Sequence, residues 1–363
     1  MLLRTVTTCI RTSIVLACAM LVAAGAYSQS KDSSATSTPV VVGGYVDSYF
    51  SFNFDRPLTH ANQFRNFDVT ENQVNLANAE LSITKAAAPL GFRVDLDFGP
   101  TNDIVQSGAT GSIADVGQAY ITYVAPLGQG LTIDAGKFVT HMGYEVIKAK
   151  DDWNYTRSLL FALSIPYYHL GVRATYPFSS TFSLCVHMYN SYNGLTVSSG
   201  KTFGFQAIYS PSSVLSLTAN YIGGPVFPDT ISKKFRNVAE LIAAIQATPT
   251  LSFAIDGVYG QDNLPSGAAL WKGIAAYLHY TLSDPCAITL RGEIYNDPKG
   301  YTTGTSQDIK EVTLTYEYRP LTNLILRAEY RYDSADGLIY DGNGGALTRR
   351  NQATLDIGAI VVF

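Results

Sequence analysis

The chain has 363 residues with 25 basic and 29 acidic side chains, a formal net charge of −4. That balance excludes a basic nucleic-acid footprint, and four cysteines are too few for a disulfide scaffold. The 24 tyrosines, 17 phenylalanines and 30 glycines, with only 15% charged residues, point away from an ordinary soluble domain.

Residues 1–28 read as a signal peptide. Arg4 and Arg11 form a basic start, Ser13 to Ala24 a short apolar core, and Ala24-Gly25-Ala26 a cleavage site of small residues. The core is too short to span a bilayer. Val15-Leu16-Ala17-Cys18 offers a rival lipoprotein signal, but it leaves only about six apolar residues after Arg11, below the roughly 7–15 such regions need. Export implies a mature chain with 23 basic and 29 acidic residues and two cysteines, Cys185 and Cys286. Residues 29–40, rich in Ser and Thr, read as a flexible periplasmic leader.

Beyond residue 40 no apolar run approaches the roughly 18 residues of a helical span. Mean hydropathy is +0.08, as expected when lipid-facing and lumen-facing residues alternate along strands. Prolines punctuate the chain at Pro89, Pro126, Pro177, Pro211, Pro249, Pro285 and Pro320, at intervals of 37, 51, 34, 38, 36 and 35 residues. Proline cannot sit inside a central ladder, so each interval holds strand, connection, strand. An interval of about 36 residues fits two strands of roughly 9–11 residues, a short turn and a loop of about ten.

Seven such turns, a first strand near 41–55 and a last strand at 351–363 predict sixteen strands. The fold class is all-β: a transmembrane antiparallel up-and-down β-barrel over residues 41–363. Short turns belong on the periplasmic side and long loops outside. The least secure strand is 236–247, which also reads as an amphipathic helix, so 14 or 18 strands are the alternatives. Cys185 and Cys286 fall on strands that are not neighbours, which predicts two free thiols.

Alternation assigns the faces. Phe92, Val94, Leu96 and Phe98 alternate with Arg93, Asp95 and Asp97. Tyr168, Leu170, Val172 and Ala174 alternate with His169 and Arg173, and Leu326, Ala328, Tyr330 and Tyr332 with Arg327, Glu329 and Arg331. A lipid-facing Arg or Lys at the midplane costs about 2–4 kcal/mol, so rows of charge point into an aqueous lumen. Tyrosines near strand ends, among them Tyr168, Tyr209, Tyr259, Tyr316 and Tyr330, suit aromatic girdles. The last strand puts Leu355, Ile357, Ala359, Val361 and Phe363 on one face, and Phe363 resembles the C-terminal assembly signal of outer-membrane barrels.

One interval breaks the spacing. The third long loop, 140–166, carries about fifteen extra residues and mixes Glu145, Lys148, Lys150, Asp151, Asp152 and Arg157 with Leu159-Leu160-Phe161. An external loop has no use for that apolar cluster, so the loop is expected to fold into the lumen. The alternatives are a cover over the barrel mouth and a subunit contact.

A further set of residues carries a family resemblance. Gly44-Tyr45-Val46-Asp47-Ser48-Tyr49 lies in the first strand. Gly136-Lys137-Phe138, Gly143 and Glu145 enter the long loop, and Asn154-Tyr155-Thr156-Arg157-Ser158 lies within it. Pro166 and His169-Leu170-Gly171 leave it, and Arg291-Gly292-Glu293 follows in a late strand. In this order the chain resembles the outer-membrane-porin-like family of β-barrel porins in Gram-negative bacteria.

The resemblance implies a porin in the cell outer membrane, a third loop folded inward, and a homotrimer. It names no substrate. The implied partners are outer-membrane lipid and lipopolysaccharide, the barrel-assembly machinery and small solutes. The expected mechanism is passive diffusion through a water-filled pore whose charges set selectivity. Arg93, Asp95, Asp97, His169, Arg173, Arg291, Glu293, Glu317, Arg327, Glu329 and Arg331 on the wall, with the six loop charges above, are the expected lining. Their mixed signs predict weak ion selectivity.

Two other channel readings stand beside this one. A substrate-specific channel for sugars or aromatic solutes would use inward tyrosines such as Tyr45, Tyr49 and Tyr189. A non-conducting anchor or adhesin would need a plugged lumen. An outer-membrane enzyme would need a histidine beside a nucleophile; His169 and His187 share neighbouring strands, but no hydrolase motif accompanies them. No cofactor or metal is expected, because Asp341-Gly-Asn-Gly-Gly345 lacks the full calcium-loop pattern.

Overall fold

The computed structural model describes residues 38–107, 109, 111–196, 200–226, 235–264 and 267–363. The expected signal peptide and nearly all of the expected leader lie outside the described residues. So do parts of the connections expected near 101–114, 191–201, 224–235 and 260–267.

The strands are β1 (Val40–Asn53), β2 (Val74–Lys85), β3 (Leu90–Phe98), β4 (Val116–Ala125), β5 (Leu131–Val139) and β6 (Tyr168–Pro177). Next come β7 (Phe182–Tyr189), β8 (Thr202–Tyr209), β9 (Leu215–Pro225), β10 (Phe235–Gln246), β11 (Leu251–Asp262) and β12 (Ala269–Ser283). The series ends with β13 (Cys286–Asp297), β14 (Gln307–Leu321), β15 (Leu324–Ala335), the small hairpin β16 (Tyr340–Gly342) and β17 (Gly345–Arg349), and β18 (Asn351–Val362). Sixteen of them form one closed antiparallel barrel; β16 and β17 pair only with each other in the last long loop.

Each of the seven punctuating prolines lies at a short turn or a strand end beside one. The ambiguous segment is strand β10, paired along its length with β9 and β11. Neighbours on both sides satisfy its backbone, which overrides the helical reading of Asn237 to Gln246. Closure joins the two ends of the barrel. β1 pairs with β18 from Tyr45↔Val362 to Asn53↔Thr354, and Gly44 and Phe363 exchange two backbone hydrogen bonds of 3.0 Å. The first and last strands therefore meet on the short-turn side.

On the late strands the faces follow the alternation. Leu314, Tyr316, Tyr330, Tyr332 and Ile357 are exposed outward, while Arg291, Glu293, Glu311, Arg327, Glu329, Arg331 and Asp333 are buried inward. Tyr168 departs from its expected lipid-facing place. It is buried, with the Lys137 ammonium 4.6 Å from its ring centre. Lys137 in turn donates to Gln106 Oε1 at 2.6 Å and to the carbonyls of Ile113 and Val116. The connection between β3 and β4, which holds the short helix Pro100–Val105, thus covers this strand end. Cys185 and Cys286 are free thiols on β7 and β13. No helix among the described residues is long and apolar enough to cross a membrane.

Candidate functional site

The third long loop, between β5 and β6, lies inside the barrel. Its path is set by side chains reaching inward from the wall. Arg327 on β15 donates to the carbonyls of Ala149 and Asp152 at 2.5 Å each and of Asn154 at 3.0 Å. Arg331 reaches the carbonyl of Arg157 at 2.6 Å. Glu329 accepts from the backbone of Tyr155 at 2.6 Å and of Thr156 at 2.9 Å. Arg291 on β13 holds Glu145 and the Thr156 carbonyl, each at 2.6 Å. A loop has no ladder of its own, and buried backbone groups must find partners. Here the wall supplies them.

Strands flanking that wall on both sides hold the rest of the loop. Lys148 pairs with Asp95 on β3 at 3.0 Å and with Glu80 on β2. Burial alone would lower the Lys148 pKa, but the Asp95 and Glu80 carboxylates raise it above the ordinary value. Glu240 on β10 accepts from the Gly143 N–H at 2.9 Å, and Tyr155 donates to Asp47 on β1 at 2.9 Å. Within the loop Arg157 binds the carbonyls of Val146 and Ile147 and pairs with Asp152 at 3.0 Å. Burial pushes the Asp152 carboxyl up to about 7 against that pairing.

The apolar cluster sits on a one-turn helix, Leu159–Ser164. Ser158 caps it by accepting from the Phe161 N–H at 3.1 Å. Glu293 on β13 accepts from the free Leu159 and Leu160 N–H groups at 2.6 and 3.2 Å, the groups a helix start leaves unpaired. Two inward glycines make room. A Cβ at Gly273 would stand 2.7 Å from Leu160 Cδ1, and one at Gly358 would stand 2.5 Å from the Tyr155 ring. The first loop packs alongside: Arg65 pairs with Asp68 at 2.6 Å and Asp333 at 2.9 Å, and the Phe67 ring lies 6.0 Å from Phe161.

The wall and loop charges named from the sequence therefore fall into two groups. Asp95, Glu145, Asp152, Arg157, Arg291, Glu293, Arg327, Glu329 and Arg331 are buried and hold the third loop, and Glu317 joins them through Arg327 at 2.9 Å. Asp97 is taken by Asn78 at 2.8 Å. His169 is fully buried and stacks on Tyr189 with ring centres 3.8 Å apart. Arg93 and Arg173 keep partial exposure, each paired with one carboxylate: Asp95 at 3.0 Å and Asp134 at 2.7 Å. Lys150 and Asp151 pair with each other at 2.8 Å on the loop's exposed side.

Tyr45, Tyr49 and Tyr189 are buried rather than open to solute. The sequence reading did not find the first loop, Glu80, Glu240 or Glu311. The first loop carries the same signal as the third, charges mixed with Phe64 and Phe67.

The remaining inner surface faces the short-turn half of β4–β10. Thr122, Arg173, Thr175, Gln206, Thr218, Ile242 and Ala244 keep partial exposure there. Among the described residues no three His, Cys, Asp or Glu side chains converge to hold a metal ion.

The comparisons with known proteins agree with this geometry. Solved structures match over nearly the whole chain. An anion-selective porin from Comamonas acidovorans is 10% identical at a TM-score of 0.64, covering 90% of this chain and all of its own. The outer-membrane channel DcaP of Acinetobacter baumannii is 12% identical at 0.60, covering 92% of this chain and all of its own. Salmonella typhi OmpF, solved with daunomycin, is 11% identical at 0.60, covering 90% and 98%. No curated protein matches. The family model described as "Putative beta-barrel porin-2, OmpL-like" matches residues 39–363, and the chain belongs to that family of outer-membrane β-barrel porins.

Proposed function

We propose that the protein is an outer-membrane diffusion channel whose bore is set by the third loop, with small hydrophilic solutes passing along the β4–β10 side. The observation that carries this is the one-sided filling of the lumen. The loop is held by Arg291, Arg327, Arg331 and Glu329 on one wall, and the partly exposed inner residues lie across from it. The charges still facing that space, Arg93 and Arg173, are each neutralised by a neighbouring carboxylate. Opposed fixed charge is what selects ions in a pore, so selectivity between anions and cations is weak.

Export through a cleaved signal at residues 1–28 and assembly as a homotrimer belong to the same reading. A solved relative, Vibrio cholerae OmpT, is described in a trimer form. Planar-bilayer recording of the purified protein tests the channel. Stepwise conductance with anion and cation permeabilities within about threefold is expected. Strong selectivity would overturn the account of the charges, and absence of conductance would favour the anchor reading.

A further inference from the structure

The third loop sets two aromatic side chains, Tyr144 and Trp153, against β12 and the short-turn ends of β8–β11. Trp153 stacks on His279 of β12 with ring centres 4.9 Å apart and planes 16° apart. Tyr144 meets the Trp153 ring edge-on at 5.6 Å and the Tyr277 ring at 4.8 Å. Both Trp153 and Tyr144 remain half-buried rather than enclosed. They border a cavity of about 280 Å3 whose other side, at the short-turn ends of β8–β11, sets Ser210, Ser216, Gln246 and Ser252 among apolar residues such as Val214 and Phe253. No charged side chain lines this cavity among the described residues. Two carboxylates on the adjoining wall, Glu240 and Asp256, accept from the N–H groups of Gly143 and Tyr144.

The register places these groups at one level of the barrel. Ser252 pairs with Gln246 on one side and with His279 on the other, and Ser216 pairs with Ala244. The hydroxyls are already oriented: Ser252 donates to Gln246 Oε1 at 3.0 Å, and Ser210 and Ser216 lie 3.0 Å apart. A flat aromatic surface facing hydroxyl and amide groups, with charge excluded, matches one solute chemistry. That solute presents an apolar C–H face to the ring and hydroxyl edges to the wall. Ions gain nothing there.

We infer that this cavity is a binding site for uncharged sugars in the pyranose form, on the diffusion path. The inference rests on the channel reading above and names its solute class. The ring of one pyranose lies against Trp153 and Tyr144, with its hydroxyls toward Ser216, Gln246 and Ser252. Occupancy narrows the path for ions, so a bound sugar lowers conductance saturably instead of in proportion to viscosity.

Maltose is the probe. In planar bilayers in KCl, ion conductance is titrated with maltose; in detergent, tryptophan fluorescence of the same preparation is titrated in parallel. The chain has two tryptophans, and Trp271 is 1% exposed, so a sugar-dependent fluorescence change reports Trp153. Saturable block is expected, with the half-blocking concentration raised at least fivefold in W153A. The fluorescence change is expected to vanish in W153F. S216V, which removes a hydroxyl without touching the loop, is expected to raise the half-blocking concentration about twofold or more, and serves if W153A fails to fold. Conductance that falls only with viscosity overturns the site and leaves the channel standing. Fluorescence saturation without conductance supports the site and overturns the channel. Block unchanged in W153A and S216V overturns the site.

Discussion

At the scale of single residues, the guanidinium of Arg327 does most to fix the third loop. It is buried, reaches three loop carbonyls and pairs with Glu317. Replacing it with Met keeps volume but removes a donor from three carbonyls and leaves Glu317 paired with Arg319 alone. Breaking one side of a buried ion pair costs about 3–5 kcal/mol. R327M is therefore expected to lower the thermal midpoint of the folded barrel and to add open-channel noise in bilayer recordings. Noise and midpoint equal to wild type would show that the loop does not depend on this residue.

His141, at the start of the same loop, carries a pH dependence. Its ring stacks on His187 at 4.2 Å and contacts Tyr189 at 3.0 Å, with His169 and Arg173 nearby. Burial lowers its pKa from the usual 6.5 to about 4. A histidine with a depressed folded-state pKa contributes stability that is complete above 6.5 and is lost as pH falls toward 4. Amide exchange in residues 140–145 is expected to rise over that window, and H141Q is expected to remove the part due to this ring. Exchange insensitive to pH between 6.5 and 4 would refute it.

At the scale of elements, the wall was more legible in the sequence than what fills it. Strand length, turn position and face follow local rules: proline stops a ladder, and alternation separates lipid from lumen. So β13–β15 could be placed from their own residues, whereas β10 needed its neighbours to decide between strand and helix. The partners of a loop cannot be read that way. Nothing near Glu240 announces that it will accept from Gly143, 97 residues away, and nothing near Gly358 announces Tyr155. The third loop stands out in the sequence only because its length breaks the spacing and its apolar cluster has no external use. The first loop carried Phe64 and Phe67 but broke no spacing. Tyr168 was misassigned because alternation cannot foresee that a neighbouring connection will cover a strand end.

The charges were legible as inward-facing but not by task, since sequence alone cannot separate a charge that meets water from one that meets a loop carbonyl. Shortening the third loop tests that division. Replacing residues 145–157 by a short Gly-Ser linker is expected to raise single-channel conductance severalfold. It should also expose Arg291, Arg327 and Arg331 to solvent and make the pore ion-selective. Unchanged conductance would place the narrowest point elsewhere.

At the scale of the whole molecule, closure depends on pairing the two ends of the chain. Phe363 contributes both backbone hydrogen bonds to Gly44, while its side chain is 66% exposed on the outer face. The ring is left free on the outer face, whereas the backbone seals the seam. Deleting Phe363 is expected to cut the amount of heat-modifiable, folded protein in the outer membrane by severalfold while leaving synthesis unchanged. Wild-type levels of folded protein would remove the terminal residue from any part in assembly.

The anchoring of the third loop also sets a timetable. The third loop precedes in the chain the strands that hold its carbonyls, since Ala149 meets Arg327 across 178 positions, Tyr155 meets Glu329 across 174 and Thr156 meets Arg291 across 135. Contacts so distant in the chain form late. Without β13 and β15 the loop keeps its internal Arg157 contacts but loses the arginines that tie it to the wall. The constriction therefore depends on the last third of the barrel, although the loop that forms it belongs to the first half.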